Sequence, residues 1–591
     1  MPETLISRFL ANADRLGAKP IVHYHAGTGD AGRWVPVGWR TAGKLVRDFA
    51  SGLIELGHAK GDALAIVSQT RREWMTADLG NLAAGGVTVG VYPTLTAEQS
   101  RYVIAHCEAK IAVVENAPQL AKIDAQRAGM PRLETVVVID PTGIAPRPGL
   151  LAFADLLARG RAARHDIEAR VAALRLEDAA LFVYTSGTTG PPKGAMLTHG
   201  NVVAAMRAMD VLPIEPGDVG FSFLPLAHVL QRSVDYRGAW TGVPGWVGRA
   251  IETVIDDLAV AQPTLMAAVP RIFEKVYAKI QEGAAAAPPA KRRIFEWSLR
   301  VGKQVSKLRQ AKQPIPPALA AQHRLAKALV FDKLRARLGG KVRLFVTGGA
   351  PIAVEILEFF DAAEIQIVEG WGMTETFAAG TLNLPGDAKF GTIGKPMPGI
   401  ELKLDDDGEI LVRGANVFSG YYKDPEATRA AFTDDGWFRT GDIARIDEDG
   451  YFKIVDRKKD LLITAAGKNI APQNIENLLK SDPRVSQAMA VGDRRPYVVA
   501  LISVPPELRA QKSEAELHAI VEDIVAARNQ ELASYERVKK FRLLPTDLTQ
   551  EAGELTPTLK LKRKVVAEKY ASLIDEMYAE GKPREPRAAG G

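Results

Sequence analysis

Short apolar runs that alternate with helix-like stretches constrain the fold of this chain most. Examples within the first 450 residues are residues 63–68, 135–139, 180–184 and 342–346. Runs this apolar are typical of strands buried on both faces, as in a mostly parallel sheet covered by helices. The sequence therefore predicts an α/β fold.

The pattern changes after residue 400. Acidic turns at residues 405–408 and 447–450, each ending in glycine between alternating strands, predict two antiparallel hairpins. Because 591 residues exceed what one hydrophobic core usually supports, more than one domain is expected. We expect a large domain over residues 1–457, a smaller α+β domain over 458–581 and a disordered tail over 582–591.

The cysteine content and the N-terminus bear on the cellular compartment. The single cysteine, Cys107, excludes an internal disulfide and fits a reducing cytosol. The N-terminus lacks the basic start and apolar run of a signal peptide, and no stretch of about 20 residues is apolar enough to span a bilayer. The sequence predicts a cytoplasmic protein.

The most specific motif is a loop rich in glycine and hydroxyl groups at residues 184–194, Tyr-Thr-Ser-Gly-Thr-Thr-Gly-Pro-Pro-Lys-Gly. Glycines let backbone N–H groups converge on an anion, hydroxyls add donors, and Lys193 adds positive charge. Such a loop suits a polyphosphate. It is not a P-loop, because Pro192 stands where the second required glycine would be.

This loop resembles the phosphate-binding signature of the adenylate-forming superfamily, which includes acyl-CoA synthetases, peptide-synthetase adenylation domains and luciferases. The resemblance continues in order along nearly the whole chain. It implies a large N-terminal domain of parallel-type sheets with a distorted β-barrel, followed by a small mobile α+β domain. The loop residues that the resemblance assigns to nucleotide binding are Thr185, Ser186, Gly187, Thr188, Thr189, Gly190 and Lys193.

Two later motifs resemble the adenine and metal sites of that superfamily. Trp371 offers a flat apolar face for adenine, and Glu375 offers a hard oxygen ligand for Mg²⁺. The resemblance implies that Thr374 faces the phosphates and that Glu375 and Thr185 hold the metal. The other residues assigned to the nucleotide are Gly348, Gly349, Ala350, Glu369, Gly370, Gly372 and Met373.

Further single residues are assigned by resemblance. His228, in the motif at residues 223–229, is similar to a histidine placed between the nucleotide and acyl pockets. Asp442 resembles the ribose clamp, since one carboxylate can accept hydrogen bonds from both vicinal hydroxyls. Arg457 matches an arginine that contacts the nucleotide, and Lys459 matches the hinge between the two domains.

Two C-terminal motifs are expected to serve different half-reactions. Gly467 and Lys468 resemble the loop that the small domain carries to the site for thioester formation. Lys560 aligns with the lysine that stabilises charge during adenylation. The glycine usual before that lysine is replaced by Leu559, so Lys562 remains the alternative.

The resemblance implies an ATP-dependent acyl-CoA synthetase. A carboxylate attacks the α-phosphorus of ATP, acyl-AMP and pyrophosphate form, and the thiol of coenzyme A then displaces AMP. Charge builds on phosphate oxygens, so Mg²⁺, Lys193 and Lys560 are expected to stabilise it. The segment from about residue 280 to 343 and the motif at residues 467–473 resemble bacterial long-chain fatty-acid–CoA ligases.

Two other functions remain alternatives. One is a CoA ligase for an aromatic or branched acid, and the other is a nucleotide-binding regulator that has lost catalysis. The presence of Thr185, Glu375, Asp442, Arg457 and Lys560 favours an enzyme over a regulator. The absence of a carrier-protein segment after the C-terminal motif argues against a peptide-synthetase module.

Positive charge is concentrated in the segment that resembles an insertion. Residues 291–343 carry a net charge of +13, within a chain whose total is +6. This segment is either a solvated helical face or a surface that attracts anionic lipid headgroups or the phosphates of coenzyme A. No nucleic-acid motif accompanies the charge, so nucleic acid is not an expected partner. The oligomeric state follows from no pattern in the sequence.

Overall fold

The computed structural model describes residues 3–27, 32–185, 191–465, 468–556 and 560–579. The described residues form strands and helices that are numbered here in chain order. The strands are β1 (Pro20–Ala26), β2 (Arg33–Gly38), β3 (Ala63–Val67), β4 (Val87–Val91), β5 (Ile111–Val114), β6 (Thr135–Val138), β7 (Leu150–Ala152), β8 (Ala179–Thr185), β9 (Lys193–Thr198), β10 (Gly220–Ser222), β11 (Gly245–Val247), β12 (Leu265–Ala268), β13 (Leu344–Thr347), β14 (Ile367–Trp371), β15 (Thr381–Leu382), β16 (Lys395–Pro396), β17 (Ile400–Leu404), β18 (Glu409–Gly414), β19 (Gly420–Tyr421), β20 (Phe438–Ile446), β21 (Phe452–Arg457), β22 (Leu462–Ile463), β23 (Asn469–Ile470), β24 (Gln487–Val491), β25 (Val498–Ser503) and β26 (Val538–Leu543).

The helices are α1 (Leu5–Leu16), α2 (Trp39–Glu55), α3 (Arg72–Ala84), α4 (Ala97–His106), α5 (Ala117–Ala125), α6 (Phe153–Ala163), α7 (Ile167–Ala172), α8 (His199–Ala208), α9 (Val229–Thr241), α10 (Val254–Ala261), α11 (Pro270–Ala285), α12 (Pro289–Gln310), α13 (Pro317–Ala326), α14 (Asp332–Arg337), α15 (Val354–Ala362), α16 (Pro425–Ala430), α17 (Pro472–Lys480), α18 (Pro506–Gln511), α19 (Glu514–Asn529), α20 (Arg563–Lys569) and α21 (Ala571–Ala579).

An eight-stranded sheet lies at the centre of the N-terminal part, in the order β19-β9-β8-β4-β3-β5-β6-β7. Its neighbours are parallel from β8 to β7, while β9 and β19 extend it in antiparallel fashion. Every residue of β3 and β4 is buried, as expected for strands covered by helices on both faces. The prediction of an α/β fold is confirmed.

A second sheet, in the order β12-β13-β14-β15-β16, is parallel over its first three strands. The two hairpins expected after residue 400 are present as β17–β18 and β20–β21, and they belong to one antiparallel sheet. The whole is a set of mixed sheets with helices, in which one curled sheet resembles half a barrel. A last sheet, β24-β25-β26, packs against α17 and α19 through an apolar core of its own.

The basic segment forms helices, and the breaks between these helices lie at its proline-rich and alanine-rich stretches, as the sequence predicts. Pro289 and Pro317 occupy the first turns of α12 and α13, a position where a missing N–H costs nothing. On one face of α12, Val301 and Val305 are buried and pack towards α15, whereas most of its cationic residues are exposed. Among the described residues, no helix has the length and apolar character needed to cross a membrane.

A buried ion pair joins α9 to α3. Arg232 on α9 donates from Nε to Asp78 Oδ2 at 3.1 Å and forms a second bond to the other carboxylate oxygen. The Tyr236 hydroxyl donates to the same Asp78 Oδ2 at 2.7 Å, and both charged side chains are essentially inaccessible to solvent. This cluster fixes the position of α9, the helix that begins next to His228.

Candidate active site

The phosphate loop predicted from the sequence begins at the end of β8. Thr185 is the last residue of that strand and pairs with Lys193, the first residue of β9. Lys193 Nζ lies 3.5 Å from Asp424 Oδ2 and 5.3 Å from the centre of the Tyr421 ring. The residues between them that were assigned to the nucleotide, Ser186, Gly187, Thr188, Thr189 and Gly190, lie outside the described residues.

The predicted metal ligand Glu375 lies on a short 3₁₀ turn and is almost fully buried. The Tyr421 hydroxyl donates to its Oε1 at 2.8 Å. Tyr421 also lies beside Lys193, so one tyrosine connects the lysine of the phosphate loop to the carboxylate of the metal motif. Burial and the neighbouring Glu375 both raise the pKa of this phenol, which therefore stays protonated and acts as a donor.

Trp371 and Asp442 meet although they lie on different sheets. Trp371 Nε1 donates to Asp442 Oδ2 at 2.8 Å, and Arg457 Nε lies 2.8 Å from Asp442 Oδ1. Each carboxylate oxygen has two lone pairs, so Asp442 keeps acceptor capacity for hydroxyl donors. Three residues that the sequence assigns to adenine, ribose and nucleotide contacts are thus in direct contact.

Glycines let the backbone approach closely around Trp371. A Cβ on Gly372 would lie 2.3 Å from the carbonyl oxygen of Ala378, a distance that no other residue tolerates. Gly349 adopts a φ of +83° in the turn after β13, which Gly348 and Ala350 flank. The carbonyl oxygen of Gly370 lies 3.1 Å from a Cβ built on Gly348, so these two assigned segments are neighbours.

The remaining residues of this motif continue β14 into the turn. Glu369 is buried in the strand, and burial raises the pKa of its carboxyl group to about 8. Met373 and Thr374 follow Trp371, and Thr374 begins the 3₁₀ turn that carries Glu375. With its pKa raised this far, the carboxyl group of Glu369 is mainly neutral near pH 7, and a neutral carboxyl can donate as well as accept a hydrogen bond.

Lys560 lies among the same residues, although it comes from the C-terminal part of the chain. Its side chain keeps accessible surface, yet it is enclosed closely enough by protein that the pKa of the ammonium falls to about 8. Burial is the main cause, the positive charges of Arg457 and Lys459 add to it, and Asp442 opposes it. Lys560 thus lies near Asp442 and Arg457, and Leu559 before it lies outside the described residues.

His228 lies near Lys560 as well. It caps α9, and its Nδ1 accepts the backbone N–H of Leu230 at 3.1 Å. Burial and the charge of Lys560 lower the pKa of the imidazole to about 3. The ring is therefore neutral with its hydrogen on Nε2, so His228 is a hydrogen-bond donor beside Lys560.

The junction predicted around Lys459 is held from the N-terminal part. The neighbouring Lys458 Nζ contacts Glu409 Oε2 at 3.0 Å and also pairs with Asp407, both on the hairpin β17–β18. Burial and the charge of Arg457 lower the pKa of Lys459, and Asp442 and Glu375 oppose that shift. Lys459 thus lies near both the ribose-type carboxylate and the predicted metal ligand.

The thioester loop is not brought to this cluster. Lys468 is exposed in the turn between β22 and β23, where its backbone N–H is bound by the Thr464 hydroxyl at 3.1 Å. In the described part of the chain, no contact joins Lys468 to the other predicted residues. Gly467 lies outside the described residues.

An apolar cavity of about 190 Å³ is lined in part by α9, the helix that His228 caps. One wall is α9, and others come from α1, α2, α3, β1 and β10–β13. The same volume measure gives roughly 10–15 Å³ for one water molecule, so this cavity has room for a large apolar group. Since α9 begins next to His228, one helix leads from the lysine cluster into the cavity.

Sequence reasoning missed Tyr421 and every residue of the cavity. The bond from Tyr421 to Glu375 spans 46 residues, and no motif spacing links them. Cavity residues come from many elements far apart in the chain, so periodicity within one element does not reveal them. The only feature of the sequence that could have drawn attention to Tyr421 is the pair of adjacent tyrosines, Tyr421 and Tyr422, after Gly420.

Comparison with solved structures defines the fold class. The adenylation domain of a carboxylate reductase from Mycobacterium chelonae matches with a TM-score of 0.81 at 22% identity, covering 98% of this chain and 91% of that one. This likeness concerns the fold alone.

Sequence comparison gives the family. The model of the AMP-binding enzyme family matches residues 9–422, and that of the AMP-binding enzyme C-terminal domain matches residues 459–582. The long-chain-fatty-acid–CoA ligase FadD15 of Mycobacterium bovis is 40% identical over 568 residues, 93% of each chain. The peroxisomal long chain acyl-CoA synthetase 7 of Arabidopsis thaliana is 32% identical over 592 residues, 92% of this chain and 82% of that protein. The chain therefore belongs to the AMP-binding enzyme family, and the resemblance recognised in its motifs is confirmed.

Proposed function

We propose that this protein is a long-chain fatty-acid–CoA ligase that forms acyl-AMP from a fatty acid and ATP and then transfers the acyl group to coenzyme A. The observation that carries the proposal is the helix α9, which connects His228 beside Lys560 to an apolar cavity. The same helix thus carries, at its start, a residue of the polar cluster for the nucleotide and carboxylate and, further along, a wall of an apolar space for a hydrocarbon chain. The names of the relatives agree with this assignment.

Adenylation joins two anions, so the protein must reduce their repulsion. One carboxylate oxygen attacks the α-phosphorus, the bond to the bridging oxygen breaks, and pyrophosphate leaves with its electron pair. Lys193 and Lys560 supply positive charge, and the Nε2–H of neutral His228 donates to the carboxylate or the α-phosphate. Trp371 offers an apolar face for adenine and Asp442 accepts from the ribose hydroxyls. These groups bind and orient both reactants.

Thioester formation follows at the same acyl carbon. The thiol sulfur attacks the carbonyl of the mixed anhydride, its proton is lost, and AMP leaves as the anion. Lys560 lies near Asp442 and Arg457, whereas no contact among the described residues brings Lys468 to them. We therefore propose that the arrangement described here serves adenylation. Rotation of the part after Lys459 would then exchange Lys560 for the loop that contains Gly467 and Lys468.

The residues predicted to hold Mg²⁺ have suitable chemistry. Magnesium prefers hard oxygen ligands and few protein donors, because it keeps several waters and takes phosphate oxygens. Glu375 uses Oε1 to accept from Tyr421, which leaves Oε2 for a cation, and Thr185 offers a hydroxyl at the start of the phosphate loop. When bound, the ion would neutralise charge on the phosphates of ATP.

Replacing Glu375 by glutamine tests this metal role. The change keeps the shape but removes the anionic ligand, so the Mg²⁺ concentration for half-maximal acyl-AMP formation should rise roughly tenfold to a hundredfold or more. Tyr421→Phe is the matched control, because it removes the bond to Glu375 and leaves the carboxylate, so its effect should be smaller. An unchanged Mg²⁺ requirement in Glu375→Gln would remove Glu375 from the metal site.

The experiment that tests the proposed function is pyrophosphate release with a series of straight-chain acids. Each buried methylene contributes about 0.8 kcal/mol, close to a fourfold gain, so kcat/KM should rise steeply with chain length until the cavity is filled. A maximum with aromatic or branched acids would favour the other class of ligase. ATP binding without acid-dependent pyrophosphate release would indicate a regulator.

We further propose that the basic segment contacts an anionic membrane surface. Ile294, Leu325 and Leu329 are exposed on α12, α13 and the following turn, among many exposed lysines and arginines. Exposed apolar side chains next to cations are the combination by which a peripheral protein binds anionic lipids. Such a surface would hold the enzyme where its water-insoluble substrate is concentrated.

Neutralising Lys291, Arg292 and Arg293 to glutamine tests this contact. Each cation near an anionic surface contributes about 1 kcal/mol, so binding to vesicles of anionic lipid should weaken about a hundredfold. The control neutralises Arg175, Arg494 and Lys564, whose side chains are exposed elsewhere, and should bind as before. Unchanged vesicle binding together with a raised KM for coenzyme A would assign the charge to the cosubstrate instead.

A further inference from the structure

The apolar cavity contains a carboxylate. Asp235 lies on α9 and lines the cavity among side chains that are mostly aliphatic, such as Val234, Met75 and Leu79. Carboxylates are rarely enclosed by apolar surface without a partner, because burial without hydrogen bonds costs several kcal/mol. A cavity that binds only an unsubstituted hydrocarbon chain does not need a charged side chain in its wall.

One oxygen of Asp235 is held by a fixed hydrogen-bond network. Ser222 Oγ donates to Oδ1 at 2.5 Å, and Gln231 Nε2 donates to the same atom at 2.8 Å. The Gln231 oxygen in turn accepts the backbone N–H groups of Phe223 and Leu224. Since both side-chain donors meet Oδ1, they orient Asp235 in one way.

The second oxygen, Oδ2, has no hydrogen-bond partner within the described ranges. The other charged side chains of the cavity have partners of their own. Arg237 Nη1 donates to the Met206 carbonyl and pairs with Asp210, while its buried Nε has no hydrogen-bond partner among the described residues. Arg72 pairs with Glu73. Burial raises the pKa of Asp235 to about 6, although the two hydrogen bonds to Oδ1 act in the opposite direction and lower it. The carboxyl group is therefore mainly ionised at neutral pH. An ionised oxygen is thus available as an acceptor in the cavity.

We propose that Asp235 selects acyl chains that carry a hydroxyl group partway along their length. This hydroxyl would donate a hydrogen bond to Oδ2 of Asp235. This inference rests on the proposed function and names its substrate class more narrowly. An unsubstituted chain would displace water from the carboxylate without forming a hydrogen bond in its place. A hydroxyl on the chain would replace the lost hydrogen bond to water with a charge-assisted hydrogen bond to Oδ2. A site built to bind a substrate hydroxyl discriminates against the analogue that lacks it, because its own polar group is then left without a partner.

The helix geometry gives the position of the hydroxyl. Asp235 follows His228 by seven residues, which corresponds to roughly 10 Å along α9. With the acyl carboxylate beside His228, the hydroxyl that meets Asp235 lies near the middle of a long chain, away from both ends. The preference should therefore depend on where along the chain the hydroxyl is placed.

The test is a competition between octadecanoic acid and its singly hydroxylated positional isomers, with ATP and coenzyme A, and with the thioesters quantified by mass spectrometry. A bond to a carboxylate predicts that one mid-chain isomer is favoured roughly tenfold or more over octadecanoic acid. Asp235→Leu should abolish this preference. Ser222→Ala should retain it, because serine contacts Oδ1 and not the oxygen that faces the substrate.

Each outcome decides the inference. Equal use of all isomers, preference for octadecanoic acid, or an equal gain at every hydroxyl position would overturn it, the last because solubility alone would explain such a gain. Retention of the preference in Asp235→Leu would also overturn it. The positional preference of the unaltered protein decides the question even if the variant does not fold. If no acid is converted to a thioester, the proposed function itself is wrong and the inference falls with it.

Discussion

Replacing Lys560 by alanine is expected to slow acyl-AMP formation by roughly 3–4 kcal/mol, a few hundredfold, by analogy with the loss of one transition-state contact in other active sites. The physical reason is that Lys560 lies near His228, Arg457 and Asp442, where the proposed mechanism places the negative charge that develops on the phosphate. The same variant should still convert supplied acyl-AMP and coenzyme A to thioester. That step releases AMP and does not release pyrophosphate, so the role proposed for Lys560 in adenylation is not needed for it.

Lys562 provides the matched control. It lies two residues further on, at the N-terminal end of α20, and its backbone N–H binds the Glu554 carbonyl. Lys562→Ala should therefore change both half-reactions little. Equal slowing of both half-reactions in Lys560→Ala would contradict the exchange of Lys560 for the thioester loop, and a defect confined to Lys562→Ala would show that Lys562 is the catalytic lysine.

Replacing Arg232 by methionine is expected to lower the stability of the N-terminal part by about 3–5 kcal/mol. The change leaves Asp78 buried without its cation, and Asp78 is completely inaccessible to solvent. Such a loss should appear as a lower urea midpoint in tryptophan fluorescence, to which Trp74 contributes because Arg232 lies 5.0 Å from its ring. Since α9 carries the wall of the cavity, fatty-acid activation should be lost in parallel.

Two further variants separate the charge from the packing. Tyr236→Phe removes the hydroxyl that donates to Asp78 and accepts from Arg232 Nε but leaves the ion pair, so its effect should be about 1–3 kcal/mol. Replacing Asp78 and Arg232 together by leucine and methionine removes both charges and should recover much of the loss. If Arg232→Met alone unfolds at the midpoint of the original protein, the buried pair contributes nothing to the stability of α9.

The sequence predicted the fold class because buried parallel strands leave continuous apolar runs, as in β3 and β8. It predicted the hairpins because an Asp-rich turn that ends in glycine, between two alternating strands, is typical of a β-hairpin. Motifs also identified residues that prove to be neighbours, such as Trp371, Asp442 and Lys560, although they are far apart in the chain. Their roles in the reaction stay predictions.

Long-range contacts between single residues could not be predicted in this way. Tyr421 reaches Glu375, and Arg232 reaches Asp78 across 154 residues, without a pattern that marks either pair. Nothing in the sequence singles out Asp235, since only the folded cavity shows that its neighbours are apolar. Pocket chemistry depends on which elements pack together, and one sequence does not encode that as a local spacing.

In the proposed reaction, one site joins a fatty acid to AMP before it forms the thioester. The most direct test is a single turnover of excess enzyme with hexadecanoic acid and MgATP, first without coenzyme A, followed by mass spectrometry of the quenched products. We predict that hexadecanoyl-AMP and pyrophosphate appear together, and that later addition of coenzyme A converts the adenylate to hexadecanoyl-CoA and AMP. Formation of the thioester with ADP and phosphate, or the absence of any adenylate before coenzyme A is added, would contradict the account.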